Sequence, residues 1–220
     1  MKKIAVILNG AGHRDGSEIH EAVLTLLAIE EAGGRWEALA LDRTQSKVFN
    51  HIDGAEDLDA SPRNMLKESA RIARGRIQDL SKASVADYDA VLIPGGSGTA
   101  SNLCDFAKRG AAMTVLPAIV NFLELAHQKG KPIGALCISP IILARVFGSK
   151  SVRLTLGSVN CDAAIAAKEM GAEAFDCSAE DCIIDETLKI VTTPAYMQNA
   201  SMPEIYAGIR MLVNEVFRLA

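Results

Sequence analysis

The chain has 220 residues and a formal charge of −4, with no block of Lys or Arg. This gives no electrostatic reason to expect nucleic acid or an anionic membrane surface as a partner. Five cysteines without a CxxC and four histidines without HxxxH or HExxH spacing indicate neither a disulfide framework nor a metal site.

The opening "MKKIAVILNG" places two lysines before an apolar run, as a signal peptide would. The run from Ile4 to Leu8 is broken at once by "NGAG", which fits a buried first strand better than a signal sequence. The next stretch, "SEIHEAVLTLLAIEEAG", carries Ile19, Val23, Leu26, Leu27 and Ala28 at helical spacing, and Gly33 and Gly34 end it. "WEALAL" reads as a strand. A long polar and helical insert from about Val48 to Ile77 follows, then the strand "YDAVLIPGG".

The second half repeats the alternation. "VLPAIVNFLELAHQKG" reads as a helix, "PIGALC" as a strand, "PIILARVF" as a helix and "VRLTLG" as a strand. A helix in "DAAIAAKEMGAE", a hairpin through "DCIIDETLKIVTTPA" and a closing helix from Met202 to Leu219 complete the chain. Continuous apolar strands between amphipathic helices imply a doubly wound α/β fold, a mostly parallel sheet sandwiched by helices. With no linker or abrupt change of composition, one domain over residues 1–220 is expected. No stretch approaches the roughly 18–20 apolar residues needed to span a bilayer, so a cytoplasmic protein with reduced thiols is expected.

In such sheets ligands bind beyond the carboxyl ends of the strands, at a switch point in strand order. Three strand ends have suitable residues, "NGAGHRDGSE", "LIPGGSG" and "GALCIS", and they are expected to face one crevice. The first is not a dinucleotide fingerprint, because Asp15 stands where GxGxxG needs its third glycine, and no GxxxxGK[ST] occurs. No cofactor is expected.

Cys137 sits where a strand turns into a helix. It is either a small core hydrophobe or a nucleophile whose thiolate the helix N-terminus stabilises, and in the second case it should ionise below about 8.5. Glu18 and Glu21 share one face of the first helix. They either complement its dipole in solvent or, for Glu21 at the edge of a buried face, hold a proton for catalysis. Gly95, Gly96 and Gly98 permit a tight turn; the Gly96 amide could also form half of an oxyanion hole, with Ile138 as the other half.

Taken together, the first strand, the acidic helix ending in "EEAG", "DAVLIPGG" with "SNL", and "GALCISP" resemble the DJ-1/PfpI superfamily of the class I glutamine amidotransferase-like fold. "DGSEIHEAVLTLLAI", "NHIDG", "RNMLKESARIARG", "KPIGALCISP" and "KIVTTPAYM" are similar to its Elb-type branch, bacterial proteins named for enhanced lycopene biosynthesis. The resemblance covers essentially the whole chain. It implies Cys137 as the elbow nucleophile, Glu21 as the acid that contacts it with Glu18 as runner-up, and Gly96 and Ile138 as the oxyanion amides. It further implies a homodimer and a glutathione-independent conversion of glyoxal or related dicarbonyls to hydroxy acids. The alternative it leaves open is a redox-sensing or regulatory protein linked to isoprenoid metabolism.

One departure matters. Hydrolytic branches place histidine directly after the nucleophile, and here that residue is Ile138. His13 is the histidine best placed to reach the crevice, whereas His20, His51 and His127 have weaker claims. Peptidase and amidotransferase chemistry are therefore not expected. In the insert, Arg63, Asn64, Glu68 and Arg71 either form a solvated helix face or shape the site mouth or a subunit contact.

Overall fold

A computed structural model describes all residues 1–220. The central sheet has seven strands in the order β3-β2-β1-β4-β5-β9-β8. These are β1 Lys3–Ile7, β2 Arg35–Ala40, β3 Ile77–Asp79, β4 Ala90–Ile93, β5 Ile133–Leu136, β8 Ile183–Asp185 and β9 Ile190–Thr193. All pairings are parallel except β8 with β9, the expected hairpin.

Helices cover both faces: α1 Ile19–Glu31, α2 Met65–Ile72, α3 Phe106–Arg109, α4 Pro117–Gln128, α5 Pro140–Phe147, α6 Asp162–Glu169 and α7 Met202–Leu219. The first strand shows why two faces are needed. Its successive side chains alternate, Ile4, Val6 and Leu8 entering the core under α1 and α7, Ala5 and Ile7 entering the opposite one. A strand buried on both sides has to be apolar throughout, which is why "KIAVIL" shows no polar alternation.

Two expectations change in detail. The strand in "VRLTLG" shrinks to β6 Arg153–Leu154, and it leaves the main sheet to pair with β7 Glu173–Ala174. In α1 the buried residues are Glu21, Ala22, Thr25, Leu26, Ala28 and Ile29, while Ile19, Val23 and Leu27 point outward at 45%, 46% and 43% exposure. The helix is rotated so that a carboxyl goes in and a branched aliphatic stripe stays out.

The chain order reverses between β1 and β4, since β2 and β3 lie to one side and β5, β9 and β8 to the other. That switch point brings the ends of β1, β4 and β5 together. The loop after β1 lies on the loop after β4: the Glu18 N–H donates to Gly95 O at 3.0 Å and the Ser97 N–H to His13 O at 2.7 Å. No helix is long and apolar enough to cross a membrane.

Candidate active site

Cys137 follows β5 directly and adopts φ = 58°, a left-handed conformation that a non-glycine residue rarely takes. The turn is held on both sides. The Cys137 N–H donates to Thr193 O at 3.0 Å, the Ser139 N–H to Leu136 O at 2.9 Å, and the Ser139 hydroxyl to Pro94 O at 2.7 Å. Strain of this kind persists where neighbours over-determine it, and here it lifts the thiol toward the crevice between the three loops. Cys137 is 8% exposed.

Glu21, fully buried in the first turn of α1, reaches that thiol and forms a side-chain hydrogen bond with it. Its two oxygens are otherwise fixed by backbone. The Gly95 N–H donates to Oε2 at 2.9 Å and the Tyr196 N–H to Oε1 at 3.2 Å. Gly95 has to be glycine, because an added Cβ would lie 2.5 Å from Glu21 Oε2 and 3.0 Å from Cys137 Sγ. Gly96, at φ = +104°, leaves no room for a side chain either, its neighbour being the Glu18 backbone nitrogen.

Burial, reinforced by the Glu18 charge, pushes the Glu21 carboxyl up to about 7, against the opposing bonds from Tyr196, Cys137 and Gly95. The Cys137 thiol is pushed up as well, by burial first and by Glu21 second; the amides of Gly96 and Ile138 oppose this without prevailing. The expectation of a thiol ionising below about 8.5 is thus reversed. The physical reason is that α5 begins only at Pro140, so Cys137 receives two amide contacts and a large desolvation penalty instead of a whole helix terminus. As anions the two groups repel each other, so the pair retains a proton near neutral pH.

Glu18, the runner-up, caps α1: its carboxylate accepts from the Glu21 N–H at 2.6 Å. It acts on the pair through its charge. No histidine hydrogen-bonds to Cys137 or Glu21. His13 packs edge-on against His51 with ring centroids 5.1 Å apart, and burial lowers its pKa before His51 and Arg14 do. His20 hydrogen-bonds to the Tyr196 hydroxyl at 3.0 Å. In the insert, Asn64 caps α2 and also donates to Asp42 at 2.8 Å, whereas Arg63, Glu68 and Arg71 line an open groove of about 580 Å3 between α1 and α2.

The sequence reading missed the turn after β9. Ala195, at φ = 42°, turns the backbone so that the next amide, of Tyr196, meets Glu21. The signal available was "TTPAYM", a proline directly after an apolar strand, which marks a turn but gives no clue to its partner 175 residues away.

Because the raised Glu21 pKa belongs to the folded state, it sets a pH dependence of stability. The carboxyl's ordinary value is 4.5 and its folded value about 7, so the folded state binds this proton more tightly. The contribution is complete below the unfolded value and is lost as pH rises through about 7. Urea unfolding from pH 4.5 to 8 should therefore show wild type losing on the order of 3 kcal/mol relative to Glu21→Gln. Parallel curves for the two proteins would mean that Glu21 is ionised throughout.

Comparison with known proteins extends this geometry. The DJ-1/PfpI family model matches residues 2–199. The human glutamine amidotransferase-like class 1 domain-containing protein 3, a mitochondrial protein, is 37% identical over 99% of this chain and 83% of its own length. The mitochondrial ES1 protein homolog of Rattus norvegicus is 36% identical over 99% and 84%. A crystal structure of an isoprenoid biosynthesis protein with an amidotransferase-like domain, from Ehrlichia chaffeensis, superposes with a TM-score of 0.92 at 32% identity, covering 100% of this chain and 99% of that one. The sheet order, the cysteine on its strained turn and these near full-length matches agree: the chain belongs to the DJ-1/PfpI family and has the class I glutamine amidotransferase-like fold.

Proposed function

We propose that the protein is a cofactor-independent, glyoxalase-type enzyme that converts glyoxal or a related small dicarbonyl to the hydroxy acid. The observation that carries this reading is a fully buried carboxyl, near-neutral in pKa, hydrogen-bonded to a cysteine on a left-handed turn. A nucleophile and a proton carrier in contact are what an internal redox rearrangement of a dicarbonyl needs. The small exposure of Cys137 suits a substrate of a few heavy atoms.

In this route sulfur adds to one aldehyde carbon of glyoxal, its proton passing to Glu21, while the Gly96 and Ile138 amides hold the developing alkoxide. Protonation gives a hemithioacetal. Glu21 then removes the C–H proton of that carbon and returns a proton to the second carbon through an enediol, so one carbon is oxidised and the other reduced. The thioester that results is cleaved by water to glycolate and the free thiol, with no external oxidant or reductant. Turnover is expected to be slow, because no histidine adjoins the thiol to activate that water.

The decisive experiment is steady-state assay of a dicarbonyl panel with detection of hydroxy acid and of thiol-bound intermediates by mass spectrometry. Saturable product formation supports the reading. Stoichiometric oxidation of Cys137 without turnover would favour the alternative, a redox-sensing or regulatory protein linked to isoprenoid metabolism, with which the isoprenoid biosynthesis relative is compatible.

The reading includes a cytoplasmic homodimer. The outward stripe of Ile19, Val23 and Leu27 on α1 supports self-association, since burying such a stripe against its copy removes branched aliphatic area from water. Sedimentation should give twice the chain mass of 23.4 kDa, and Val23→Asp should shift it to the monomer. A monomeric wild type would end this part of the proposal.

A further inference from the structure

A separate cavity of about 290 Å3 opens beside the loop that carries Gly96, and neither Cys137 nor Glu21 lines it. Its walls bring together Arg14, Lys47 and Lys108, the hydroxyls of Ser97 and Ser101, and the ring of Phe49. Three basic side chains around one cavity run against the character of a chain with a formal charge of −4. A cleft whose lining carries an excess of one sign of charge concentrates ions of the other.

Two of these three charges are not spent within the protein. Lys47 is paired with Glu56 at 2.5 Å, but neither Arg14 nor Lys108 has an acidic partner within ion-pair distance. The one acid in the wall, Asp105, is already occupied: it accepts from the Thr114 hydroxyl at 3.1 Å and pairs with Arg109 at 3.5 Å. The Arg14 side chain is also placed in advance. It lies over Gly54, at φ = +73°, where an added Cβ would fall 2.9 Å from the guanidinium.

We propose that this cavity binds a small molecule carrying a phosphate or diphosphate group on a short apolar body. Arg14 offers a planar fork that grips two phosphate oxygens at once, and Lys108 adds a mobile point charge. The Ser97 hydroxyl, which makes no hydrogen bond within the chain, donates to a third oxygen. Phe49 and the neighbouring alanines, Ala100 and Ala107, provide the apolar wall for the rest of the ligand. The site is distinct from the thiol chemistry and does not depend on it.

Isothermal titration of the full-length protein tests this with four probes: inorganic diphosphate, dimethylallyl diphosphate, dimethylallyl alcohol and sulfate. Both diphosphates should bind saturably at one site per chain, the alkyl one more tightly, while the alcohol and sulfate do not. Arg14→Gln should weaken diphosphate binding about tenfold or more, and Ala107→Trp should weaken the alkyl diphosphate most by filling the apolar end. Both positions are exposed, so thermal melts should be unchanged. Cys137→Ala should bind as wild type does, which separates failure here from failure of the glyoxalase reading. No saturable binding, equal affinity for sulfate, or affinities unchanged in both wall variants would overturn the proposal.

Discussion

Cys137→Ser is expected to lose essentially all dicarbonyl turnover, by roughly 10⁴-fold or more in kcat/KM, while folding normally. Serine is close to cysteine in shape and meets the same cost at φ = 58°, so the turn between β5 and α5 should survive. What fails is ionisation. A carboxyl near 7 can take the proton of a thiol as sulfur adds to a carbonyl, but it is far too weak a base for an alcohol. The variant should also form no thiol adduct, whereas Cys182→Ser should keep wild-type kinetics, because Cys137 is the thiol that interacts with the Glu21 carboxyl and Cys182 has no such hydrogen-bonded proton acceptor. A Cys137→Ser enzyme that retains a tenth of the wild-type rate would remove sulfur from the mechanism.

Glu21→Gln is expected to lower kcat by about 10²- to 10⁴-fold, the range of a positioned proton carrier. The amide keeps the size of the carboxyl and can still accept from Gly95 or Tyr196, but it cannot move a proton between the two substrate carbons. In wild type the pH–rate profile should inflect near 7, where this carboxyl titrates, and the variant should lack that inflection. Glu18→Gln should behave differently. It weakens the cap of α1, costing about 0.5–1 kcal/mol of stability. It also removes a charge that raises the Glu21 pKa, so the inflection should move to lower pH with kcat largely kept. If Glu18→Gln proved the inactive variant and Glu21→Gln stayed active, the proton carrier would be misassigned by one turn of helix.

Much of this arrangement was legible in the chain itself. "KIAVIL", "DAVLI" and "PIGAL" are apolar on both faces, which only a sheet covered twice accommodates, and each is followed by a loop that cannot continue a strand. Parallel strands joined by helices place successive loops on one edge, so the convergence of the loops holding Glu21, Gly95, Gly96 and Cys137 follows from element order. Likewise "SEIHEAV" shows an acid at the rim of an apolar helix face, and its burial follows once that face has a partner.

The ionisation of the pair was not legible, because it depends on groups far apart in the chain. Glu21 sits between an amide from the loop after β4 and one from the turn after β9, and only the closed sheet puts Gly95 and Tyr196 on either side of it. That enclosure removes water from the sulfur too, and desolvation then outweighs the amides of Gly96 and Ile138 that alone would have favoured a thiolate. The rotation of α1 has the same origin. Periodicity predicts that a helix exists, whereas packing on α7 and the sheet decides that Glu21 and Leu26 go inward and Ile19, Val23 and Leu27 remain outside. Residue pattern alone was enough for the main elements, their order and the residues at the strand ends. Which side chains lost their water, and therefore where the protons sit, was decided by tertiary structure, because burial is a property of surfaces meeting and not of any segment.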